Sequence, residues 1–264
     1  MMDETVPEEG AAMARDESRA YSMVLEWWGL LPDPVRRREL GDFAMEFAYH
    51  SAKVEGAELT YEEAREVFEQ GSVTAYTGDV RSLVSVTNQK SAFGWMMGRL
   101  EERAPLDEAF VLTLHRTLTY GTYSPTQLAD GERPGTYKLS DYIVRETHEV
   151  GAAPDECPRL TRELLRDVDE TLADLTPGRA VTCAAFLHNE LVSIHPFSEG
   201  TGRVARELAN YVLLFGGHPP VSVFEDEVDA YYAALEAFDD TGDLDPFKRL
   251  LRHETVRSWE DRVR

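Results

Sequence analysis

Lysine is nearly missing from this 264-residue chain. It stands only at Lys53, Lys90, Lys138 and Lys248, so arginine supplies most of the 27 basic residues set against 49 acidic ones. The resulting formal net charge of −22 repels phosphate polymers at long range, which argues against binding to nucleic acid or to an anionic membrane surface. Such a surface suits a salty cytoplasm, or a genome that favours arginine codons. Cysteine is equally scarce. Cys157 and Cys183 lie in no metal-type cluster, and a reduced, cytoplasmic setting is the simplest expectation. No apolar run is long enough to cross a bilayer, and the acidic N-terminus is unlike a charged-then-apolar leader. Internal repeats and low-complexity tracts are absent as well.

What is present is a helical pattern. With 42% hydrophobic residues the chain has ample material for a sizeable core, as one domain or one domain with a helical extension. Residues 1–20 are acidic, poor in apolar side chains and expected to be disordered. A helix carrying Trp27 and Trp28 is predicted from Tyr21 to Leu31, stopped by Pro32 and Pro34. Phe43, Phe47 and Val54 recur at helical spacing up to a terminating Gly56, and Thr60 with Glu63 forms a capping box for the next helix. Residues 71–104 read as a helical connection, and Leu106–Leu118 as an amphipathic helix in which His115 is a core residue. Residues 120–138 read as loop. Residues 139–145 alternate and hold β-branched and aromatic side chains, the best strand in the chain, with a second near Glu149. Helices follow from Cys157 to Leu175 and from Pro177 behind an N-cap at Thr176. His188, Asn189 and His218 are read as structural.

The chemistry is concentrated in His195-Pro-Phe-Ser-Glu-Gly-Thr-Gly-Arg-Val-Ala-Arg206. An apolar segment leads in, and Val204, Leu208 and Val212 continue behind it at helical spacing, so the loop joins two buried helices. The start of the second helix carries unpaired N–H groups and partial positive charge. Gly200 and Gly202 are read as positive-φ positions that let the backbone form an anion nest, and Arg203 and Arg206 add formal charge. Nest, dipole and arginines together suit a polyphosphate. Glu199 is a candidate magnesium ligand, and His195 a candidate general base. Singly, each residue also has an ordinary reading: a helix-end histidine, a glycine turn, arginines paired with surface carboxylates.

Taken in order, the loop resembles the signature of the Fic-domain family, His-Pro-Phe-x-Asp/Glu-Gly-Asn-Gly-Arg-x-x-Arg. It departs at one defined position, where Thr201 stands for Asn. The resemblance implies an all-α core with a small β-hairpin, and an enzyme moving AMP from ATP to a protein hydroxyl with Mg2+. His195 would be the base and Glu199 the metal ligand. Gly200, Thr201 and Gly202 would line the phosphates, Arg203 and Arg206 would clamp them, and Phe197 would anchor the loop in the core.

A second segment, Ser51-x-x-x-Glu55-Gly56, resembles the inhibitory motif of members that carry their own brake. There the glutamate pairs with the second loop arginine, here Arg206, where a γ-phosphate would sit. Some braked members also remove AMP. By position, Tyr142, Ile143 and Val144 would form the flap that lines the nucleotide and pairs with the target protein, and Tyr232, or else Tyr231, would lie near adenine. The resemblance spans roughly residues 40–250. The implied organisation is a disordered stretch 1–20, a helical region with the inhibitory helix 21–105, a catalytic core 106–250 and a helical tail 251–264. Homodimers recur in the family. The same fold also supports UMP, phosphate or phosphocholine transfer, and Thr201 is consistent with a decayed, nucleotide-binding module.

Overall fold

Local sequence signals place most of the elements. In the computed structural model, residues 6–144 and 148–263 are described, with side chains over 17–141 and 151–263. Eleven helices are seen among them: α1 (Val6–Leu30), α2 (Asp33–Val54), α3 (Tyr61–Gln70), α4 (Val80–Glu101), α5 (Glu108–Thr119), α6 (Pro125–Ala129), α7 (Cys157–Leu172), α8 (Pro177–Ile194), α9 (Thr201–Phe215), α10 (Val228–Thr241) and α11 (Asp245–Val263). Strands β1 (Tyr142–Val144) and β2 (His148–Val150) pair antiparallel, with Ile143 opposite Glu149. Their connection lies outside the described residues. The fold is therefore helical, with one short two-stranded ribbon.

Three boundaries follow the expected chemistry. Thr60 and Glu63 close a reciprocal capping box at the start of α3. Gly56, at φ 81°, lets its own N–H reach the Lys53 carbonyl while Ala57 N–H reaches Ala52, the Schellman pattern that ends α2. Pro177 starts α8 as predicted. Thr176 before it is extended but makes no side-chain cap bond, so only the proline half of that signal operates.

Helices α8 and α9 form the centre. Leu187, Leu191, Val204, Leu208 and Val212 are fully buried between them, each contributing about 1.5–3 kcal/mol of apolar burial. Helices α5 and α7 cover one side, and α2 and α4 another. Helix α11 packs on α1 through an aromatic cluster in which Trp28 and Trp259 lie 5.0 Å apart and Phe43 stacks on Trp259 at 5.5 Å. Trp28 is thus a core residue, and the partly buried Trp27 packs against the core.

The expected organisation needs correction at both ends. Residues 6–20, expected to be disordered, belong to α1. The helix is held from its C-terminal half by Val24 and Trp28 in the core, and Glu17 reaches His253 of α11 at 2.8 Å. The boundary at 250/251 also fails, because α11 runs straight through it. The boundary at 105/106 falls in the α4–α5 connection, but one hydrophobic core joins both helices to α1 and α11. Within the expected loop 120–138, α6 forms because Ser124 and Gln127 make a second capping box with Pro125 at the first helical position.

Candidate functional site

Helix α8 delivers His195 as its C-terminal cap at φ 47°, ψ 60°, a left-handed conformation that a non-glycine residue adopts at some cost. The next residues are locked from outside the loop. Pro196 carbonyl accepts from Lys138 N–H at 2.9 Å. The fully buried Phe197 ring lies between His115 (3.8 Å, 8° between planes) and Tyr137 (5.9 Å, 10°), which makes it the anchor expected. His115 also meets the Glu199 carbonyl through Nε2 at 2.9 Å and accepts from Gly135 N–H at Nδ1.

The two loop glycines do different jobs. Gly200 has φ 85°, and a Cβ there would meet Thr119 Cγ2 at 2.5 Å, so both conformation and space call for glycine. Gly202 does not take a positive φ, contrary to the sequence expectation, because the helix has already begun at Thr201. Its value is clearance: a Cβ would lie 3.0 Å from Glu55 Oε1 and 3.1 Å from Arg206 Nη1. The Thr201 hydroxyl donates to the Phe197 carbonyl at 3.3 Å, and the residue is buried.

These residues border a cavity of about 440 Å3 whose wall includes His195, Glu199, Gly200, Thr201, Gly202 and Arg203, with Glu55 and Gly56 on the opposite side. The first N–H groups of α9 have no helical acceptor by construction. Among the described residues, no hydrogen bond from the Gly200, Thr201, Gly202 or Arg203 amide to a protein acceptor is formed. Arg203 Nη2 donates to Glu199 Oε1 at 2.9 Å and its Nη1 donates to the Leu118 carbonyl at 3.1 Å, which fixes the guanidinium at the cavity edge. Open amides and the positive end of the helix dipole thus face the cavity beside Arg203.

Arg206 does not line the cavity. It is buried behind Glu55, donating from Nη2 to Glu55 Oε1 at 2.7 Å and to the Ser51 carbonyl at 3.1 Å. Its Nε donates to Ser51 Oγ at 3.2 Å, and Nη1 to the Tyr231 hydroxyl at 3.4 Å. The structure thus brings together Ser51, Glu55 and Arg206, which are remote in sequence. Burial works against the Glu55 carboxylate, but Arg206 and then Arg203 outweigh it and hold its pKa below the ordinary value. Burial first, and Lys138 second, push His195 down to about 4, while the Val192 backbone and Glu55 oppose them. At neutral pH the imidazole is uncharged and able to accept a proton.

Of the loosely placed candidates, Tyr232 is half exposed (51%), its hydroxyl 3.5 Å from the Val54 carbonyl at the end of α2. Tyr231 is buried behind Arg206, with its hydroxyl also 3.2 Å from His188 Nε2, so it supports the arginine and has no face for a ligand. Tyr142, Ile143 and Val144 form β1. The ribbon leads directly to the histidine: Ala152 N–H donates to the Ile194 carbonyl at 2.9 Å. The sequence reading missed Arg81 and Ser85, which line the cavity from the start of α4, and Lys138 beside His195. None lies in a recognisable motif.

Comparison with known proteins agrees with this geometry. Residues 105–213 match the Fic/DOC family. It is 27% identical over 231 residues to Protein adenylyltransferase fic-1 of Caenorhabditis elegans, covering 84% of this chain and 42% of that protein. It is also 27% identical over 228 residues to Protein adenylyltransferase Fic of Drosophila persimilis, with 85% and 42% covered. The chain therefore spans less than half the length of the curated relatives it matches. Among solved structures, a Fic domain containing signaling protein from Bacteroides thetaiotaomicron superposes with a TM-score of 0.77 at 24% identity, over 92% of this chain and 93% of the other. A fragment of C. elegans Fic-1 gives 0.74 at 24% identity, over 97% and 73%. These likenesses establish the Fic fold. Among the described residues, no helix is long and apolar enough to cross a membrane.

Proposed function

We propose that this chain is a protein AMP-transferase, as the names of its curated relatives suggest, and that Glu55 holds it in a resting state. The observation that carries the reading is the single cavity on which a neutral His195, four open amides and Arg203 converge, while Glu55 occupies the one arginine that would complete the site. His195 Nε2 would take the proton of a Ser, Thr or Tyr hydroxyl on the target. The oxygen would attack the α-phosphorus of ATP, and the bond to the β-phosphate bridging oxygen would break, releasing pyrophosphate. Amides and arginines would stabilise the charge that spreads over the phosphoryl oxygens.

Magnesium fits this donor set. Among the described residues no group of three or more acidic, histidine or cysteine side chains could enclose an ion. Mg2+ commonly takes one or two carboxylates and completes its shell with substrate phosphates and water, which matches the partly exposed Glu199 at the cavity edge. When bound, it would neutralise phosphate charge. In this reading β1 and β2 form the flap that offers main-chain groups to the target segment, and Tyr232 borders the adenine. AMP removal, with Glu55 orienting water, is the reverse use of the same site.

The test uses wild type, Glu55→Gly, and Glu55→Gly with His195→Ala, incubated with lysate, magnesium and ATP labelled at the α- or γ-phosphate. Protein label from the α-phosphate alone, strongest in Glu55→Gly and absent in the double variant, is the expected result. Label from the γ-phosphate would make the chain a kinase, and no label from either would overturn AMP transfer.

A further inference from the structure

His115 stands outside both motifs and is read from sequence as a packing residue, yet its ring makes two polar contacts of opposite sense. Gly135 N–H can only donate, so Nδ1 accepts it at 2.9 Å. The Glu199 carbonyl can only accept, so Nε2 carries the proton and donates at 2.9 Å. The tautomer is fixed by these two backbone partners. Burial pushes the imidazole down to about 3, which keeps it neutral. The Tyr123 hydroxyl lies farther from Nε2, at 3.5 Å, and the ring face is filled by Phe197.

The consequence reaches the cavity through one peptide plane. The Glu199–Gly200 bond is trans, so its N–H points opposite to its carbonyl. Holding the Glu199 oxygen against the buried His115 turns the Gly200 N–H away from the core, and Gly200 borders the cavity. That N–H meets no acceptor among the described residues. The peptide could otherwise rotate, since Gly200 tolerates both signs of φ, and rotation would aim a carbonyl oxygen at the anion site.

We propose that His115 is a positioning residue for phosphate binding: it locks the Glu199–Gly200 peptide so that the Gly200 amide donates to a nucleotide phosphate. This rests on the nucleotide-transfer reading above. It also assigns the reason for a histidine here, because a neutral donor and acceptor on one rigid ring are needed at once. Gly135 completes the device. At φ 83° its Cβ would meet Arg116 Cβ at 2.9 Å and the Leu112 carbonyl at 3.1 Å, so glycine lets the donor backbone lie close against α5.

The test is made in the Glu55→Gly background with His115→Gln, which keeps a donor near the Nε2 position, His115→Asn, which keeps an acceptor near Nδ1, and His115→Phe, which keeps neither. ATP and adenosine are titrated calorimetrically or by NMR. His115→Gln should bind ATP within about threefold of the parent, whereas His115→Asn and His115→Phe should lose about tenfold, the scale of one oriented hydrogen bond to a charged group. Adenosine affinity should stay within about twofold throughout. With inorganic pyrophosphate as probe, the Gly200 amide resonance should shift in the parent and in His115→Gln, and stay in place in His115→Asn. Equal losses for ATP and adenosine, or ATP losses that merely track thermal stability in all three variants, would overturn the role. A parent that shows no affinity for ATP would overturn the nucleotide reading and this inference together, whereas ATP binding that ignores residue 115 would sink the inference alone.

Discussion

Replacing Glu55 by Gly should produce two opposite effects that are rarely seen together. The side chain ends 2.7 Å from Arg206 Nη2, and 34% of it is exposed while only 4% of the arginine side chain is. A hydrogen bond between charged groups contributes about 1.5–3 kcal/mol net, and partial exposure of the carboxylate places this one near the lower end. Its removal strands a buried guanidinium that still holds Ser51 and Tyr231. The ligand-free variant should therefore lose about 1.5–2 kcal/mol of stability, or about 3–8 °C in Tm for a chain of this size. If the terminal phosphate of ATP takes the place of Glu55, wild type must break that bond to bind and the variant need not. ATP should then bind about 10–30-fold more tightly to Glu55→Gly, and saturating ATP should return the lost stability by mass action. Glu55→Gln, which keeps a hydrogen-bonding oxygen without the charge, should fall between. Calorimetric titration and thermal melts with and without ATP read both effects. A variant that melts earlier but binds ATP no better would refute competition at Arg206, and one with unchanged melting and binding would refute any coupling at all.

Two further predictions concern the frame of the site. Gly151→Ala places a methyl group at φ 86° against His195 Cβ, with the Ile194 carbonyl 2.5 Å away; conformational strain and overpacking together should cost about 2–4 kcal/mol. Gly178→Ala, whose Cβ meets nothing within 4 Å in α8, should be neutral or slightly stabilising in the same melts; equal effects of the two would show that the ribbon does not abut the histidine. Acid should weaken the fold well before carboxylates protonate in bulk. His50, His195 and His218 are pushed to about 4 and His115 to about 3 by burial, with His188 also lowered. Unfolded histidines titrate near about 6.5, so the unfolded chain takes up more protons and stability is lost as pH falls from about 6.5 through 4. Glu46, Glu190 and Glu207, and Glu254 at about 7, are raised by burial and act in the opposite sense above about 4.5. The five histidines outnumber these four, and Glu55, held low by Arg206, adds to their side, so Tm should fall by a few °C between pH 6.5 and 4.5, by roughly 2–4 °C per kcal/mol; a flat profile would mean that the rings are not buried neutral.

The loop from His195 to Arg206 was legible because all its chemistry is contiguous, and Gly56, Thr60 and Pro177 were legible because caps are local. Residues that act across the fold were not. Tyr231 and Tyr232 are equivalent in composition, and only tertiary packing decides that the first supports Arg206 and the second faces outward. His115 carries an apolar-face periodicity that hides a polar role. The capping box Ser124-Pro125-x-Gln127 starts α6 inside a stretch whose Gly, Thr and Tyr content reads as loop. The helical state of residues 6–20 was unreadable because α1 draws its stability from packing against α11, which is more than 200 residues away in sequence. The positive φ expected at Gly202 failed for a related reason: spacing alone does not say which glycine precedes the first helical turn and which lies inside it.

The arrangement around Arg206 also says which partner can be given up. Ser51 lies inside α2 and is 2% exposed, and Tyr231 is equally buried and tied to His188. Releasing either would open the core. Glu55 instead caps the end of α2, followed by an exposed glycine in the left-handed region. Its side chain can leave Arg206 by rotamer change or by unwinding one turn, which is a low-cost local opening. A phosphate arriving through the cavity meets Glu55 first and Arg206 only behind it. Exchange of one anion for another therefore requires no rearrangement of α8 or α9. On the proposed reading, control resides in the few residues from Ala52 to Ala57, and anything that stabilises that last turn should hold Glu55 on Arg206. Strengthening the Schellman closure at Gly56 should weaken ATP binding. Replacing Gly56 by a β-branched residue, which resists positive φ, should loosen the turn and strengthen binding while Arg206 stays where it is.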